Sequence, residues 1–148
     1  FFILFGALIF SNFVNRAGLP DGLISIVGAF DLSPLGVIFI ILLIYVLLGC
    51  VFESLSMILL TVPIFAPVVA SLGFDLIWFG ILVVVVTEIS LITPPIGLNV
   101  FVLKGVLKDV SVGTIFKGVT PFWVADIIRL ILLAAVPSIA LFLPSMMG

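Results

Sequence analysis

The residues best suited to chemistry lie in a polar segment inside a long apolar run, Ser90 to Asn99. Pro94 and Pro95 are adjacent there, and each lacks an N–H and crowds the carbonyl four residues earlier, so a helix is expected to break. Gly97 permits the unusual dihedral angles of such a break. The main-chain oxygens four residues before the two prolines would be freed, and hard oxygen ligands of this kind suit a cation such as Na⁺.

A second polar segment, Gly49 to Ser56, separates two apolar segments earlier in the chain. If both polar segments reach the middle of a membrane, they can face each other. Helices starting near Ser54 and Leu98 would then direct the partial positive charge of their N-termini towards this place, which favours an anionic substrate. The two segments together predict a site for a small cation and an organic anion.

Four charged residues lie in or beside apolar segments. Glu53 and Glu88 are candidates for proton carriers or counter-ions. They can equally hydrogen-bond main chain at a break or lie near an interface. Asp126 and Arg129 are three residues apart on one helical face, so we expect an ion pair that serves structure or a subunit contact.

The composition indicates a membrane protein. Of its 148 residues, 65% are hydrophobic and 8% charged, which leaves too few polar residues for the surface of a soluble domain. A net charge of −2 without a basic patch argues against binding to nucleic acid. Because His is absent and Cys50 is the only cysteine, we find no catalytic set and predict that the protein is not an enzyme. The apolar start at Phe1 suggests the C-terminal part of a longer protein.

The order of apolar and punctuating residues predicts an all-α polytopic membrane protein. Ser33-Pro34 opens a short apolar segment, and a second one, containing Pro63 and Pro67, follows the polar tip. This pattern favours a re-entrant helical hairpin, with two tilted full spans as the alternative. The predicted segments are an arm helix and an interfacial helix (1–33), the hairpin (34–71), a discontinuous transmembrane helix (72–109), and a surface helix followed by the last transmembrane helix (110–148).

Lysines and tryptophans indicate how the chain is placed in a membrane. Lys104, Lys108 and Lys117 surround one short loop, which the positive-inside rule assigns to the cytoplasm. Trp78 and Trp123 are expected at the membrane interfaces. Within the last segment, we expect a surface helix over residues 112–118 and a separate span over residues 121–143.

Several motifs together resemble one transporter family. They are Leu59–Val68 (LLTVPIFAPV), Leu72–Gly80 (LGFDLIWFG), Thr93–Phe101 (TPPIGLNVF) and Pro121-Phe122. Their order and spacing are similar to those of the large membrane subunit of tripartite ATP-independent periplasmic (TRAP) transporters. The resemblance implies the second of two inverted repeats of an elevator-type carrier in the ion transporter superfamily, with a re-entrant hairpin and a discontinuous helix.

The resemblance also implies site residues. The second Na⁺ site of the family falls on Gly49, Ser90, Thr93 and Ile96, and Ser90 stands where relatives often have Gly. We expect the solute to lie between this hairpin tip and its counterpart in the first repeat, with Na⁺ at the broken helix. The predicted contacts of the solute are Ser54, Ser56, Pro94, Pro95, Gly97 and Asn99.

The resemblance implies a Na⁺-coupled permease of the bacterial inner membrane. Such a permease imports small organic acids, of the C4-dicarboxylate or sialic acid type, delivered by a periplasmic binding protein. Its other partners would be a small membrane subunit, the N-terminal half of the large subunit and the lipid bilayer. Two alternatives remain: another carrier of the superfamily that works without a binding protein, or a scaffold subunit whose proline breaks are only kinks.

Overall fold

The computed structural model describes residues 1–30, 32–94 and 96–147, and within these residues all regular structure is α-helical. The helices are α1 (Phe2–Arg16), α2 (Leu19–Ala29), α3 (Pro34–Gly49), α4 (Ser54–Ser71), α5 (Leu76–Ser90), α6 (Leu98–Val106), α7 (Val112–Ala135) and α8 (Pro137–Met147). A helical architecture is expected inside a membrane, because a helix satisfies its own main-chain polar groups.

The helices α3 and α4 occupy the segment for which a re-entrant hairpin was predicted, and residues 49–56, where the two helices are joined, are called the hairpin tip below. The Ser33 hydroxyl accepts a hydrogen bond from the Gly36 N–H at 3.2 Å, and Pro34 occupies the first turn, where its missing N–H costs nothing. At the tip, the Glu53 carboxylate accepts from the N–H groups of Leu55 and Ser56 at 2.9 and 3.0 Å, which starts α4. Only residues 50–53 of the predicted polar segment therefore lie outside α3 and α4.

The lengths of the helices bear on how many of them cross a bilayer. By length and composition, α4 and α7 are each sufficient among the described residues, and α1 with α2, bent by 53°, would make a third span if counted together. At about 1.5 Å per residue, α3 is roughly 24 Å long, short of a ~30 Å hydrocarbon core, whereas α4, at roughly 27 Å, lies at the lower end of the lengths that span it. Pro63 and Pro67 lie within a continuous α4.

Helix α5 is the centre of the core. It packs against α3, α4, α7 and α8. Its side chains Leu82 and Val86 are fully buried, and α3 contributes Ile38 and Tyr45 to the same cluster. A helix that is apolar on all sides is typical of a protein core or of a membrane span. The end of α5, where the predicted site begins, is thus held by packing from several sides.

Both tryptophans, which were predicted to be interfacial anchors, form hydrogen bonds within the protein. Trp78 is fully buried, and its Nε1–H donates to the main-chain oxygen of Leu133 in α7 at 2.8 Å. Trp123 is half-buried and donates to the hydroxyl of Thr93 at 2.9 Å. An indole N–H removed from water needs a partner, and here both partners lie on neighbouring elements of the protein.

The predicted surface helix and last span are a single helix. α7 begins after Ser111, whose hydroxyl accepts from the Thr114 N–H at 3.1 Å, and continues through Pro121 to Ala135. α7 packs against α5 and α6, and Trp123, two residues after the proline, donates to Thr93. The chain leaves the helix at Val136 instead, where φ is −127° and ψ is 79°, because the following Pro137 disfavours the helical conformation there.

Candidate functional site: the helix break and the hairpin tip

The predicted break is present between α5 and α6. At the end of α5, the N–H groups of Ile92 and Thr93 bond to carbonyls three residues earlier, Ile89 and Ser90, each at 3.2 Å. Such bonds tighten the last turn of a helix. Gly97 has φ +54° and caps the start of α6. A side chain there would be strained by the left-handed backbone, as the sequence pattern suggested.

The two oxygens expected to be free are both engaged. The Ser90 oxygen accepts from the Thr93 N–H, and the Leu91 oxygen accepts from the Asn99 N–H at 3.1 Å, across the break. The prediction of unpaired oxygens at these two positions is therefore wrong. Buried main-chain groups rarely stay without a partner, and the chain turns back to supply one. Each carbonyl oxygen retains a second lone pair for a ligand.

The hairpin tip touches the break. A Cβ atom placed on Gly49 would overlap both the Cβ and the Oγ of Ser90, which is itself fully buried, so only glycine permits this approach. The Cys50 thiol lies next to the Thr93 oxygen, with Sγ 3.9 Å away. The two predicted polar segments are thus in contact, at the C-terminal ends of α3 and α5.

Three buried hydroxyl residues spaced three apart follow the end of α5 into the break. Ser90 donates to the Thr87 oxygen at 2.5 Å, and Thr93 donates to the Ile89 oxygen at 2.7 Å. Thr87 is 2% exposed, and its hydroxyl has no hydrogen-bond partner within the described part of the chain. Thr87 had no predicted role in the site, and Trp123 none beyond an interfacial anchor, although the Thr-x-x-Ser-x-x-Thr spacing is visible in the sequence.

A cavity of about 350 Å³ lies on the α7 side of the break. Its walls are formed by Ile92, Thr93, Pro94, Phe116, Val119, Thr120 and Trp123. The lining is mostly apolar, with Thr93 and Thr120 as its hydroxyl-bearing residues. None of the hairpin-tip residues borders this space, so it lies apart from the contact between the tip and the break.

Of the predicted cation ligands, the structure brings Gly49, Ser90 and Thr93 together. The Ile96 side chain is exposed. No group of three or more His, Cys, Asp or Glu side chains in the described part of the chain could hold a metal ion. A cation at this contact would therefore depend on neutral hydroxyl and main-chain oxygens.

The predicted solute ligands are less closely gathered. The Ser56 hydroxyl donates to the Glu53 carboxylate at 3.1 Å, and Gly97 approaches Phe116 of α7. Ser54 begins α4, Pro94 borders the cavity beside α7, and Asn99 is exposed on α6. Pro95 lies outside the described residues.

The charged residues have separate surroundings. Glu53 bonds main chain at the hairpin tip, which is one of the alternatives stated for it, and Glu88 is exposed on α5. Asp126 and Arg129 form the expected ion pair on α7, with 3.0 Å between carboxylate oxygen and guanidinium nitrogen.

Comparison with known proteins gives a consistent result over nearly the whole chain. Residues 1–139 match the family model of the tripartite ATP-independent periplasmic transporter, DctM component. The chain is 33% identical over 147 residues to a C4-dicarboxylate TRAP transporter large permease protein of Pseudomonas aeruginosa, a match that covers 99% of this chain and 34% of that protein.

Relatives with other named solutes match similarly well. The sialic acid TRAP transporter large permease protein of Vibrio cholerae is 33% identical over 144 residues, covering 97% of this chain and 34% of the relative. The ectoine/5-hydroxyectoine large permease protein of Ruegeria pomeroyi is 34% identical over 144 residues, covering 96% of this chain and 33% of the relative. The chain thus spans about a third of the length of these relatives. It belongs to the family of TRAP transporter large permease subunits, which are membrane transport proteins and not enzymes.

Proposed function

We propose that this chain is part of a Na⁺-coupled permease that imports a small organic acid. The observation that carries the proposal is the direct contact between the hairpin tip and the helix break, with Gly49 against Ser90 and the Cys50 thiol beside the Thr93 oxygen. Non-helical main chain at membrane depth is stable only when it is buried in protein or lines a polar cavity. In secondary transporters, such discontinuous helices form ion and substrate sites.

The ion in this proposal is Na⁺, held by oxygens of Gly49, Ser90, Thr93 and Ile96. The chemistry of the donors supports this choice. Three of the four residues meet at one place, and a hard monovalent cation needs hydroxyl and carbonyl oxygens rather than thiolates or imidazoles. The buried Thr87 hydroxyl, which has no partner among the described residues, lies one turn before Ser90 and adds a further polar group next to these residues.

The solute in this proposal is a small organic acid. α4 begins at Ser54 and α6 at Leu98, and the partial positive charge at both helix starts favours a carboxylate nearby. Relatives named for C4-dicarboxylates and sialic acid support the same class. Ser54, Ser56, Pro94, Pro95, Gly97 and Asn99 remain the residues that we propose as its contacts.

Transport follows if ion and solute stabilise one arrangement of the hairpin over another, because a ligand shifts an equilibrium only by its difference in affinity. Bound Na⁺ would tie the tip of α3–α4 to the break of α5–α6. This unit would move as the mobile part of an elevator in the bacterial inner membrane, with the lysine-rich loop in the cytoplasm. The remaining half of the large subunit, a small membrane subunit and a periplasmic binding protein would complete the transporter.

The experiment uses the intact permease with Thr93→Ala. We expect this variant to lose Na⁺-dependent uptake of radiolabelled succinate or N-acetylneuraminate, whichever the wild-type permease transports, to a larger extent than it loses folded protein. Na⁺ should also raise the melting temperature of the wild-type permease relative to choline, and this shift should shrink in the variant. Normal expression with unchanged Na⁺ dependence would contradict the site. A wild-type permease that neither transports nor responds to Na⁺ would favour the scaffold alternative.

A further inference from the structure

Trp123 of α7 forms a side-chain hydrogen bond to the break. Its Nε1–H donates to the hydroxyl of Thr93 at 2.9 Å, and the two residues are 30 positions apart in the sequence. We propose that Trp123 is a positioning residue for the ion site: its indole N–H fixes the orientation of the Thr93 hydroxyl so that one lone pair is presented to Na⁺. The inference rests on the proposed function, since it assumes that Thr93 is a ligand.

Counting the bonding capacity of the Thr93 hydroxyl supports this role. A hydroxyl has one hydrogen to donate and two lone pairs to accept with. The hydrogen goes to the Ile89 oxygen at 2.7 Å, and one lone pair is taken by the Trp123 N–H. One lone pair is left, and its direction is set by the other two bonds. Without the indole N–H, the hydroxyl retains a single anchor and a choice of lone-pair directions.

The nature of the donor matters as well. An indole N–H donates and never accepts, and it does not ionise in the ordinary pH range, so it cannot replace the cation or release a proton to the site. Trp123 also forms a wall of the 350 Å³ cavity together with Phe116, on the side of the break bordered by α7. The Cys50 thiol meets the Thr93 main-chain oxygen instead. Thr93 is thus tied to α7 through its side chain and to the hairpin through its main chain.

Trp78 is a natural control for the same substitution. It also donates its N–H from a packed ring to a neighbouring element, at 2.8 Å, but its partner is the main-chain oxygen of Leu133, far from the break. Trp78 is fully buried and packs against Phe74. Replacing either ring by Phe removes one hydrogen bond, yet only Trp123 is bonded to a proposed ligand of Na⁺.

The test measures the apparent dissociation constant for Na⁺, which is its half-saturating concentration, in the purified intact permease. It is obtained from the rise in melting temperature with Na⁺ concentration, with choline as the replacement cation and no solute. We expect Trp123→Phe to raise this concentration about 3- to 10-fold, the equivalent of one ordinary hydrogen bond. Trp78→Phe should lower the melting temperature in choline and leave the Na⁺ concentration unchanged. In a Thr93→Val background, Trp123→Phe should have no further effect on the Na⁺ response.

The outcomes separate the two proposals. If Trp123→Phe leaves the half-saturating Na⁺ concentration unchanged while Thr93→Val abolishes the Na⁺ response, the positioning role is refuted and the ion site stands. If the wild-type permease shows no Na⁺ response, both proposals fail. Should Trp123→Phe not fold, Trp123→Met, which fills space without an N–H, is expected to show the same 3- to 10-fold increase. A Met variant with a wild-type Na⁺ response would equally overturn the role of Trp123.

Discussion

The contact between Gly49 and Ser90 permits a quantitative test of the site. In Gly49→Ala, the new Cβ would overlap both Cβ and Oγ of Ser90. Rotating the Ser90 side chain relieves only the overlap with Oγ, so the ends of α3 and α5 must separate by on the order of 1 Å to restore carbon–carbon contact distances of about 3.5–4.0 Å. Forcing extra volume into a packed region costs about 1–3 kcal/mol. We therefore expect Gly49→Ala to lower the free energy of unfolding by that amount and to reduce Na⁺-dependent stabilisation.

The second variant of the cycle is Ser90→Gly. Alone, it loses the hydrogen bond from Ser90 to the Thr87 oxygen and should cost about 1 kcal/mol. In combination with Gly49→Ala, it removes the atoms with which the new methyl group would collide. The double variant should therefore be more stable than the sum of the two single costs allows, with a coupling energy of roughly 1–2 kcal/mol.

The assay is unfolding of the purified permease in detergent, followed at several Na⁺ concentrations. Gly118→Ala in α7 is the matched control, because a Cβ at Gly118 meets open space, and there the better helix propensity of alanine should leave stability equal or slightly higher. Strictly additive costs for Gly49→Ala and Ser90→Gly, or a Gly49→Ala variant as stable as the wild type, would refute the close approach of the hairpin tip to α5.

Two further predictions concern buried hydroxyls, and a third concerns a helix cap. Thr87→Val should keep the free energy of unfolding unchanged or raise it by up to about 1 kcal/mol, because it replaces a buried hydroxyl without a partner among the described residues. The melting temperature checks this. Thr61→Val should instead cost about 1–2 kcal/mol, since it removes the partner of the Tyr45 hydroxyl, 2.7 Å away. A loss of stability in Thr87→Val would indicate that this hydroxyl is paired in the assembled permease. Asp75→Ala should cost about 1 kcal/mol and Asp75→Asn less, as the carboxylate accepts from the first N–H groups of α5 at 2.7 and 3.3 Å.

Local rules in the sequence predicted the main features of the site. Pro94 follows the end of α5, because proline disfavours a continuing helix. Gly97 precedes α6 with a positive φ, which glycine adopts without strain. Ser33-Pro34 marked the start of α3 for the same kind of reason. The apolar composition indicated a membrane protein, and the motif around Thr93 indicated its family.

Local rules were insufficient where a partner distant in the sequence decides the outcome. Pro121 was expected to separate two helices, yet α7 is continuous through it and packs against α5 and α6. The two tryptophans were expected at membrane interfaces, and both donate to residues at least 30 positions away. The same applies to the Leu91 oxygen, which the Asn99 N–H reaches only because the chain turns back after the break.

The sequence by itself determined that the chain is a helical membrane protein, that a helix breaks in the segment around Pro94, and which residues surround the break. Each of these follows from the conformational limits of individual residues and from the hydrophobicity of short segments. Only the tertiary structure decided which oxygens at the break are already paired, that Gly49 fits against Ser90, and that Trp123 holds Thr93. Those outcomes depend on contacts between residues of separate helices, which the sequence of one segment cannot predict.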